Sequence, residues 1–84
     1  MNIYVGNLSF KVDESDLAEL FEEYGYVSSS KIIMDRESGR SKGFGFVTMD
    51  DSGEAQRAIQ ELNGATYADR KMVVNEARPK KNNY

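Results

Sequence analysis

The segment that decides the fold is an octapeptide in the middle of the chain: Lys42-Gly43-Phe44-Gly45-Phe46-Val47-Thr48-Met49. In a β-strand, side chains alternate between the two faces of the sheet. Lys42, Phe44 and Phe46 are therefore predicted to share one face, together with Thr48. Val47 and Met49 are predicted to point to the opposite face, where they are ordinary core residues.

Two glycines, Gly43 and Gly45, separate the bulky residues of this strand. Glycine weakens a strand interior, but it is useful where another molecule or another backbone must approach closely. The face with two phenyl rings and a lysine is therefore predicted to be an open platform on which unpaired bases can stack. The alternative is a core strand whose phenyl rings are simply buried.

The octapeptide resembles the signature of the RNA recognition motif family, Lys/Arg-Gly-Phe/Tyr-Gly/Ala-Phe-Val-any-Phe/Tyr, at seven of its eight positions. The departure is Met49, where the family has an aromatic residue. Because strand alternation points residue 49 to the buried face, this departure is expected to affect packing more than binding. Near the N-terminus, Ile3-Tyr4-Val5-Gly6-Asn7-Leu8 resembles the family's second, six-residue motif. The pair of motifs predicts that Tyr4 lies on the open face with Phe44 and Phe46.

The composition limits what else the protein can be. A chain of 84 residues allows one domain, predicted over residues 1–78, followed by a short basic tail over residues 79–84. The chain has no cysteine and no histidine, which excludes disulfides, cysteine nucleophiles, catalytic triads with histidine and His- or Cys-ligated metal sites. No cofactor and no metal are expected. The apolar runs are too short to span a membrane, and the N-terminus has no secretory leader pattern, so a cytoplasmic location is expected, or a nuclear one in a eukaryote.

The net charge of −3 is unusual for a protein that binds nucleic acid. However, residues 13–24 and 50–62 together contain ten acidic residues and one basic residue, for a net charge of −9. The rest of the chain contains ten basic and four acidic residues, for a net charge of +6. If both acidic segments are helices on one side of the sheet, the opposite face is left basic, and the local field governs contact because salt screens charges beyond about 8–10 Å.

Periodicity predicts two helices among four strands. Asp13 is predicted to cap a helix whose buried stripe is Leu17, Leu20, Phe21 and Tyr24, with Gly25 as a left-handed stop. Asp51 and Glu54 suggest a capping box for a second helix with the stripe Ala55, Ala58, Ile59 and Leu62. Strands are predicted over residues 2–6, 27–34, 42–49 and 71–77, with an irregularity in the serines at 28–30.

The order of these elements is strand, helix, strand, strand, helix, strand, which is the split βαβ arrangement of an α+β, ferredoxin-like sandwich. Right-handed crossovers place both helices on one face of a four-stranded antiparallel sheet. The resemblance to the family further implies the spatial order four-one-three-two, with the first and third strands in the centre. That order would place Tyr4 beside the two phenyl rings.

The resemblance also implies roles for individual residues in binding single-stranded RNA. Tyr4 and Phe46 would each stack a base, Phe44 would lie against riboses, and Lys42 would meet a phosphate. The end of the fourth strand would contact base edges through Asn75, Ala77 and Arg78. Lys31 and Arg40 complete the predicted RNA-binding set as basic residues near the platform. Single-stranded DNA is expected to bind more weakly, and the protein is expected to be a monomer that acts in post-transcriptional regulation or as an RNA chaperone.

Two questions stay open at this level. The polar loop over residues 35–41 could be an arm that brings Arg36 and Arg40 to phosphates, or a plain solvated hairpin loop. The main alternative to RNA binding is a protein-interaction module of the same fold that uses the acidic helical face. An enzyme is not expected, because glycines that cradle a nucleotide follow a strand and open a helix, whereas Gly43 and Gly45 lie inside a strand.

Overall fold

The computed structural model describes residues 1–77, so Arg78 and the predicted tail over residues 79–84 lie outside the described residues. The two helices and four long strands follow the predicted order. The predicted fourth strand over residues 71–77 is too long, because Lys71 belongs to a separate short strand and pairing with the first strand covers only Val73–Glu76. The strands are β1 (Asn2–Gly6), β2 (Val27–Met34), β3 (Ser41–Met49), β4 (Thr66–Tyr67), β5 (Arg70–Lys71) and β6 (Val73–Glu76). The helices are α1 (Glu14–Glu22) and α2 (Ser52–Leu62).

The main sheet has four antiparallel strands in the order β2-β3-β1-β6. This arrangement confirms the predicted order four-one-three-two, with β6 as the fourth long strand. The two central strands, β1 and β3, carry the aromatic residues of the two motifs. The pairing of β2 with β3 is irregular between Val27 and Ser29, within the predicted serine stretch, and again between Ile32 and Met34.

Both helices begin where the capping residues predicted. The Asp13 carboxylate accepts a hydrogen bond from the Asp16 backbone N–H (2.8 Å), and the Asp16 carboxylate accepts one from the Asp13 N–H (3.2 Å). The Asp51 carboxylate accepts a hydrogen bond from the Glu54 N–H (2.9 Å). These bonds satisfy backbone donors that have no partner within the first helical turn.

The prediction that Gly25 ends α1 in a left-handed conformation is wrong. Gly25 does not adopt a positive φ, unlike Gly39, Gly43 and Gly64. The helix instead ends through a tighter bond from the Tyr24 N–H to the Phe21 carbonyl oxygen (2.9 Å), a spacing of three residues. No left-handed residue is therefore needed at this position.

The core lies between the sheet and the two helices. The strands and their flanks contribute Ile3, Val5, Val47, Met49, Met72 and Val74 to this core. The helices contribute Leu17, Phe21, Ala55, Ala58 and Leu62. These side chains follow the alternation predicted for the strands and the stripes predicted for the helices. Leu20, Tyr24 and Ile59 lie at the edge of the core and are partly buried. The buried apolar residues of the sheet lie on the face that the helices cover. The opposite face is not covered by a helix and carries the predicted platform residues.

A small hairpin formed by β4 and β5 follows α2 and was not predicted. Its tip residues, Ala68 and Asp69, both have positive φ (51° and 65°), as a two-residue type I′ turn requires. Ala-Asp is not the Asn-Gly or Asp-Gly pair that usually signals this turn. Instead, Asn7 holds the hairpin, because its side-chain N–H donates to the Lys71 carbonyl oxygen (2.6 Å) and its oxygen accepts from the Arg70 guanidinium (2.8 Å).

Candidate nucleic-acid interface

Four of the predicted site residues form a single row across the open face of the sheet. Lys31 on β2 is paired with Phe46 on β3, Phe46 with Tyr4 on β1, and Tyr4 with Asn75 on β6. Directly paired residues of antiparallel strands point to the same face. The register therefore brings together residues that are up to 71 positions apart in the chain.

Phe44 joins this row to complete a cluster of three aromatic rings. The ring centroids of Tyr4 and Phe44 are 5.9 Å apart, those of Tyr4 and Phe46 are 5.9 Å apart, and those of Phe44 and Phe46 are 6.2 Å apart. The rings meet in tilted or edge-to-face geometry, the favoured arrangement for aromatic pairs. All three side chains are partly exposed, so the alternative of a strand with fully buried phenyl rings is wrong.

The position of the Tyr4 ring depends on Gly6, two residues further along β1 on the same face. A β-carbon built on Gly6 would lie 2.8 Å from both Cε2 and Cζ of Tyr4. Non-bonded carbon atoms do not approach each other that closely, so the ring can lie over Gly6 only because residue 6 has no side chain. Gly6 thus acts as part of the platform without presenting any group of its own.

The two glycines of β3 make room for other parts of the backbone, one of the two uses that the sequence suggested. A β-carbon on Gly45 would collide with the Lys31 carbonyl oxygen and would lie 3.2 Å from the Ile32 Cα on β2. Gly43 has a φ of +85°, and its carbonyl oxygen accepts a hydrogen bond from the Leu8 N–H (2.8 Å). These contacts bring β2 and the loop after β1 close to β3, on either side of Phe44.

The remaining predicted residues lie around this cluster. Lys42 is exposed at the start of β3, and Asn75 is exposed on β6. Ala77 is half-buried, and its N–H donates to the Asn2 carbonyl oxygen (2.8 Å), which extends the pairing of β6 with β1. Arg78 lies outside the described residues. Chemically, the group offers stacking surfaces, cations and one exposed side-chain amide.

Arg40 lies in the loop between β2 and β3, which is held by its own hydrogen bonds. The Asp35 N–H donates to the Arg40 carbonyl oxygen (2.7 Å), and the Gly39 N–H donates to the Asp35 carbonyl oxygen (2.8 Å). The Arg40 side chain is exposed and lines a cleft together with Lys42 and Phe44. Arg36 is also exposed, and its proposed contact with a phosphate stays a prediction.

The helical side carries the negative charge that the sequence predicted. Tyr67 on β4 packs against the edge of the core and lies near α1. Burial raises the pKa of its hydroxyl, and the negative charges of Asp16, Glu19 and Asp13 raise it further. A tyrosinate is disfavoured there because it would add a negative charge beside three carboxylates. The negative charge of α1 disfavours a polyanion on that side of the molecule.

Sequence reasoning missed one exposed aromatic residue near this site. Phe10, in the loop after β1, has 65% of its side chain exposed and lines the same cleft as Phe44. The motif around Asn7 and Leu8 ends before Phe10, and neither strand alternation nor helical periodicity applies in a turn. A phenylalanine placed outside the predicted strands and helices is the only signal in the sequence that could have identified it.

Two classes of site are absent from the described part of the chain. Within residues 1–77, no group of three or more acidic side chains is placed to hold a metal ion. Neither of the helices in that range is long and apolar enough to cross a membrane.

A four-stranded antiparallel sheet with three clustered rings on its open face and two helices behind it is the architecture of an RNA recognition motif. The family model described as the RNA recognition motif matches residues 3–73, and the chain belongs to this family. The Nostoc sp. protein RbpE, which is named as an RNA-binding protein, is 50% identical over 80 residues, which is 95% of this chain and 81% of that protein. The chloroplast RNA-binding protein CP29B of Arabidopsis thaliana is 52% identical over 84 residues, which is 98% of this chain but 29% of that protein.

Solved structures agree with this assignment. The crystal structure of the RNA-binding protein PG1 superposes with a TM-score of 0.90 and 54% sequence identity, covering 95% of this chain and 99% of that chain. A protein–RNA complex titled Sxl-lethal superposes with a TM-score of 0.89 and 32% identity, covering 96% of this chain and 48% of that chain.

Proposed function

We propose that this protein binds single-stranded RNA across the open face of its sheet, and acts in post-transcriptional regulation or as an RNA chaperone. The observation that carries the proposal is the row formed by Lys31, Phe46, Tyr4 and Asn75, with Phe44 beside it. Unpaired bases can stack on exposed rings, whereas the bases of a duplex are already stacked and paired. Membership of the family and the likeness to an RNA complex support the same reading.

In this proposal each residue of the row has a separate task. Tyr4 and Phe46 each stack one base, and Phe44 lies against riboses between them. Lys31, Lys42 and Arg40 contact phosphates, with Arg78 as a further cation. Asn75 and Ala77 contact base edges at the side of the sheet formed by β6.

The proposal is for a binding function without catalysis, in a monomer whose residues 1–78 form the domain and whose residues 79–84 form a basic tail. Single-stranded DNA is proposed to bind more weakly, because it lacks the 2′-hydroxyl through which proteins distinguish RNA. We infer a cytoplasmic location, or a nuclear one in a eukaryote. Because some relatives are cyanobacterial and others are chloroplast proteins, the chloroplast is a further compartment to test.

The proposal is tested by Phe46→Ala, with RNA titration and urea unfolding measured on the same protein. Removal of one stacking ring is expected to lower the affinity for a random single-stranded RNA pool by about 1–3 kcal/mol, roughly five- to 150-fold. The ring is partly exposed but packs on two other rings, so the free energy of unfolding is expected to fall by about 0.5–2.5 kcal/mol, less than for a buried phenylalanine.

Two control variants separate binding from folding. Met49→Ala, on the buried face of the same strand, should cost about 2–5 kcal/mol of stability and leave RNA affinity unchanged while the protein is folded. Tyr26→Ala removes an exposed ring near the opposite end of β2 and should change neither. If Phe46→Ala leaves RNA affinity unchanged, the open face is not the binding surface, and the acidic helical face with a protein partner becomes the better hypothesis.

A further inference from the structure

The strand that carries Lys31 is held loosely by its own sheet. β2 is an edge strand, with β3 on one side only. Its pairing with β3 is irregular between Val27 and Ser29 and again between Ile32 and Met34, so continuous register is limited to residues 29–32. An edge strand also leaves backbone groups on its outer side without a strand partner. The short stretch around Lys31 therefore depends on support from outside the sheet.

The first turn of α1 gives that support through one residue, Glu14. The Ile32 N–H donates to the Glu14 carboxylate (3.2 Å), and the Ser30 hydroxyl donates to the Glu14 carbonyl oxygen (2.9 Å). The Ile32 N–H is part-buried and is directed to α1, so removal of the carboxylate would take away its partner. The two hydrogen bonds reach β2 on either side of Lys31.

These contacts determine how the Lys31 side chain leaves the strand. Side chains alternate along a strand, so the buried Ile32 points to the helices while the exposed Lys31 points to the open face, where it is paired with Phe46. The direction of a side chain follows from the backbone on both sides of it. Because Glu14 holds residues 30 and 32, it also fixes the origin and direction of the Lys31 side chain.

We propose that Glu14 is a positioning residue of the RNA interface, which holds Lys31 in place for a phosphate from the opposite side of the sheet. Glu14 acts through the backbone of β2 and does not contact the RNA. A carboxylate that contacted the RNA would repel the phosphates, whereas this one lies on the helical side. The inference rests on the proposed function, since Lys31 must contact a phosphate for its position to matter.

A double-mutant cycle on the full chain tests whether Glu14 acts through Lys31. The wild type, Glu14→Ala, Lys31→Gln and the double variant are titrated with a uridine octanucleotide at several salt concentrations. Lys31→Gln is expected to reduce the magnitude of the slope of log K against log salt by about 0.7, the contribution of one phosphate contact. Glu14→Ala is expected to reduce it by a similar amount, and the two losses should not add in the double variant.

Two further variants separate the hydrogen bond from the charge of Glu14. Glu14→Gln removes the same charge as Glu14→Ala but keeps a side-chain oxygen for the Ile32 N–H, so it should retain the wild-type slope. Asp13→Ala removes an equal charge from the same turn, but the Asp13 carboxylate accepts its hydrogen bond from the Asp16 N–H within α1. It should lower stability without changing the slope. Hydrogen exchange of the Ile32 amide should be faster in Glu14→Ala than in Glu14→Gln.

The results that would overturn this inference differ from those of a purely structural contact. If Glu14 only stabilised the fold, Glu14→Ala would lower the melting temperature, and the slope of the folded protein would stay at its wild-type value. That result, additive losses in the cycle, an unchanged slope in Lys31→Gln, or an equal loss in Glu14→Gln and Glu14→Ala would each remove the proposed role of Glu14.

Failure of the proposed function is seen separately. If Phe46→Ala weakens octanucleotide binding while the losses in the cycle are additive, the open face remains the RNA interface and only the role of Glu14 is disproved. If Phe46→Ala leaves the affinity unchanged, the open face itself is not the interface, and the positioning role fails with it.

Discussion

At Gly6, the lack of a side chain decides where a functional ring lies. The Tyr4 ring covers this residue, and a β-carbon there would overlap the ring. The ring is the mobile partner in that conflict, because a tyrosine side chain can rotate while the paired backbone of β1 cannot. A side chain added at Gly6 is therefore expected to affect the position of the Tyr4 ring more than the stability of the fold.

Gly6→Ala is expected to displace the Tyr4 ring and reduce RNA affinity by up to about 1–3 kcal/mol, the value of one stacked base. The free energy of unfolding should change by less than about 1 kcal/mol, because only the end of one flexible side chain must move and the unfolded chain loses some freedom. Urea unfolding and an RNA titration on this variant check both values. Gly53→Ala, at the exposed start of α2, is the matched control, and unchanged RNA affinity in Gly6→Ala would show that Tyr4 does not need its observed position.

Among the elements, β3 is one of the two central strands and is paired with β2 on one side and β1 on the other. At Gly45, β3 lies close to β2, with the Lys31 carbonyl and the Ile32 Cα in the way of any side chain. Unlike the ring above Gly6, these are backbone atoms in a paired strand. The conflict can be relieved only by moving one strand relative to the other.

Gly45→Ala is therefore expected to destabilise the fold by about 1–3 kcal/mol, the usual cost of added volume in a packed interior. RNA affinity measured well below the melting temperature should fall too, since Lys31 and Phe46 are paired next to this position. Thermal melting of Gly45→Ala beside Gly6→Ala makes the comparison direct. A Gly45→Ala protein as stable as the wild type would mean that β2 can shift freely against β3.

Helix α1 depends on a reciprocal cap, in which Asp13 and Asp16 each accept the other's backbone N–H. Asp13→Ala should lower the free energy of unfolding by about 1 kcal/mol, because the orphan N–H groups of the first turn lose their partner. RNA affinity of the folded protein should not change, since α1 lies on the side of the sheet away from the platform. Ser15→Ala in the same turn is the control, and a large loss of RNA affinity in Asp13→Ala would place the helical side in the interface.

For the whole molecule, we expect the distribution of charge between the two sides of the sheet to govern binding. The chain has a net charge of −3, but its acidic segments are α1, α2 and their flanks, on the side of the sheet away from Lys31 and Lys42. We expect weak, salt-sensitive binding. If Lys31, Arg40, Lys42 and Arg78 each neutralise a phosphate, the slope of log K against log salt should be roughly −2 to −3, at about −0.7 per phosphate for single strands.

Lys42→Gln should reduce the magnitude of this slope by about 0.7, the contribution of one phosphate contact. Arg57→Gln removes one positive charge from the exposed surface of α2 and should leave the slope unchanged. Titrations at several salt concentrations measure both. An affinity that does not vary with salt would show that the basic residues lie outside the interface.

The local features of this protein could be predicted from the sequence because they arise from local rules. The period of two in residues 42–49 placed the two phenyl rings opposite Val47 and Met49, and the capping residues located both helix starts. The hairpin of β4 and β5 could not be predicted in this way. Its turn places Ala68 and Asp69 at positive φ, and Asn7, some sixty residues earlier, adds two side-chain hydrogen bonds to its second strand.

By itself, the sequence determined the order of the long elements, the faces that form the core and the aromatic residues that lie on the open face. These features follow from strand alternation, helical periodicity and helix caps, which act over a few residues. Only the tertiary structure decided how these meet. The pairings of β2 with β3, β3 with β1 and β1 with β6 line up Lys31, Phe46, Tyr4 and Asn75. The loop after β1 brings Phe10 to the cleft beside Phe44. Such contacts depend on strand register and loop closure between distant segments, which no local pattern specifies.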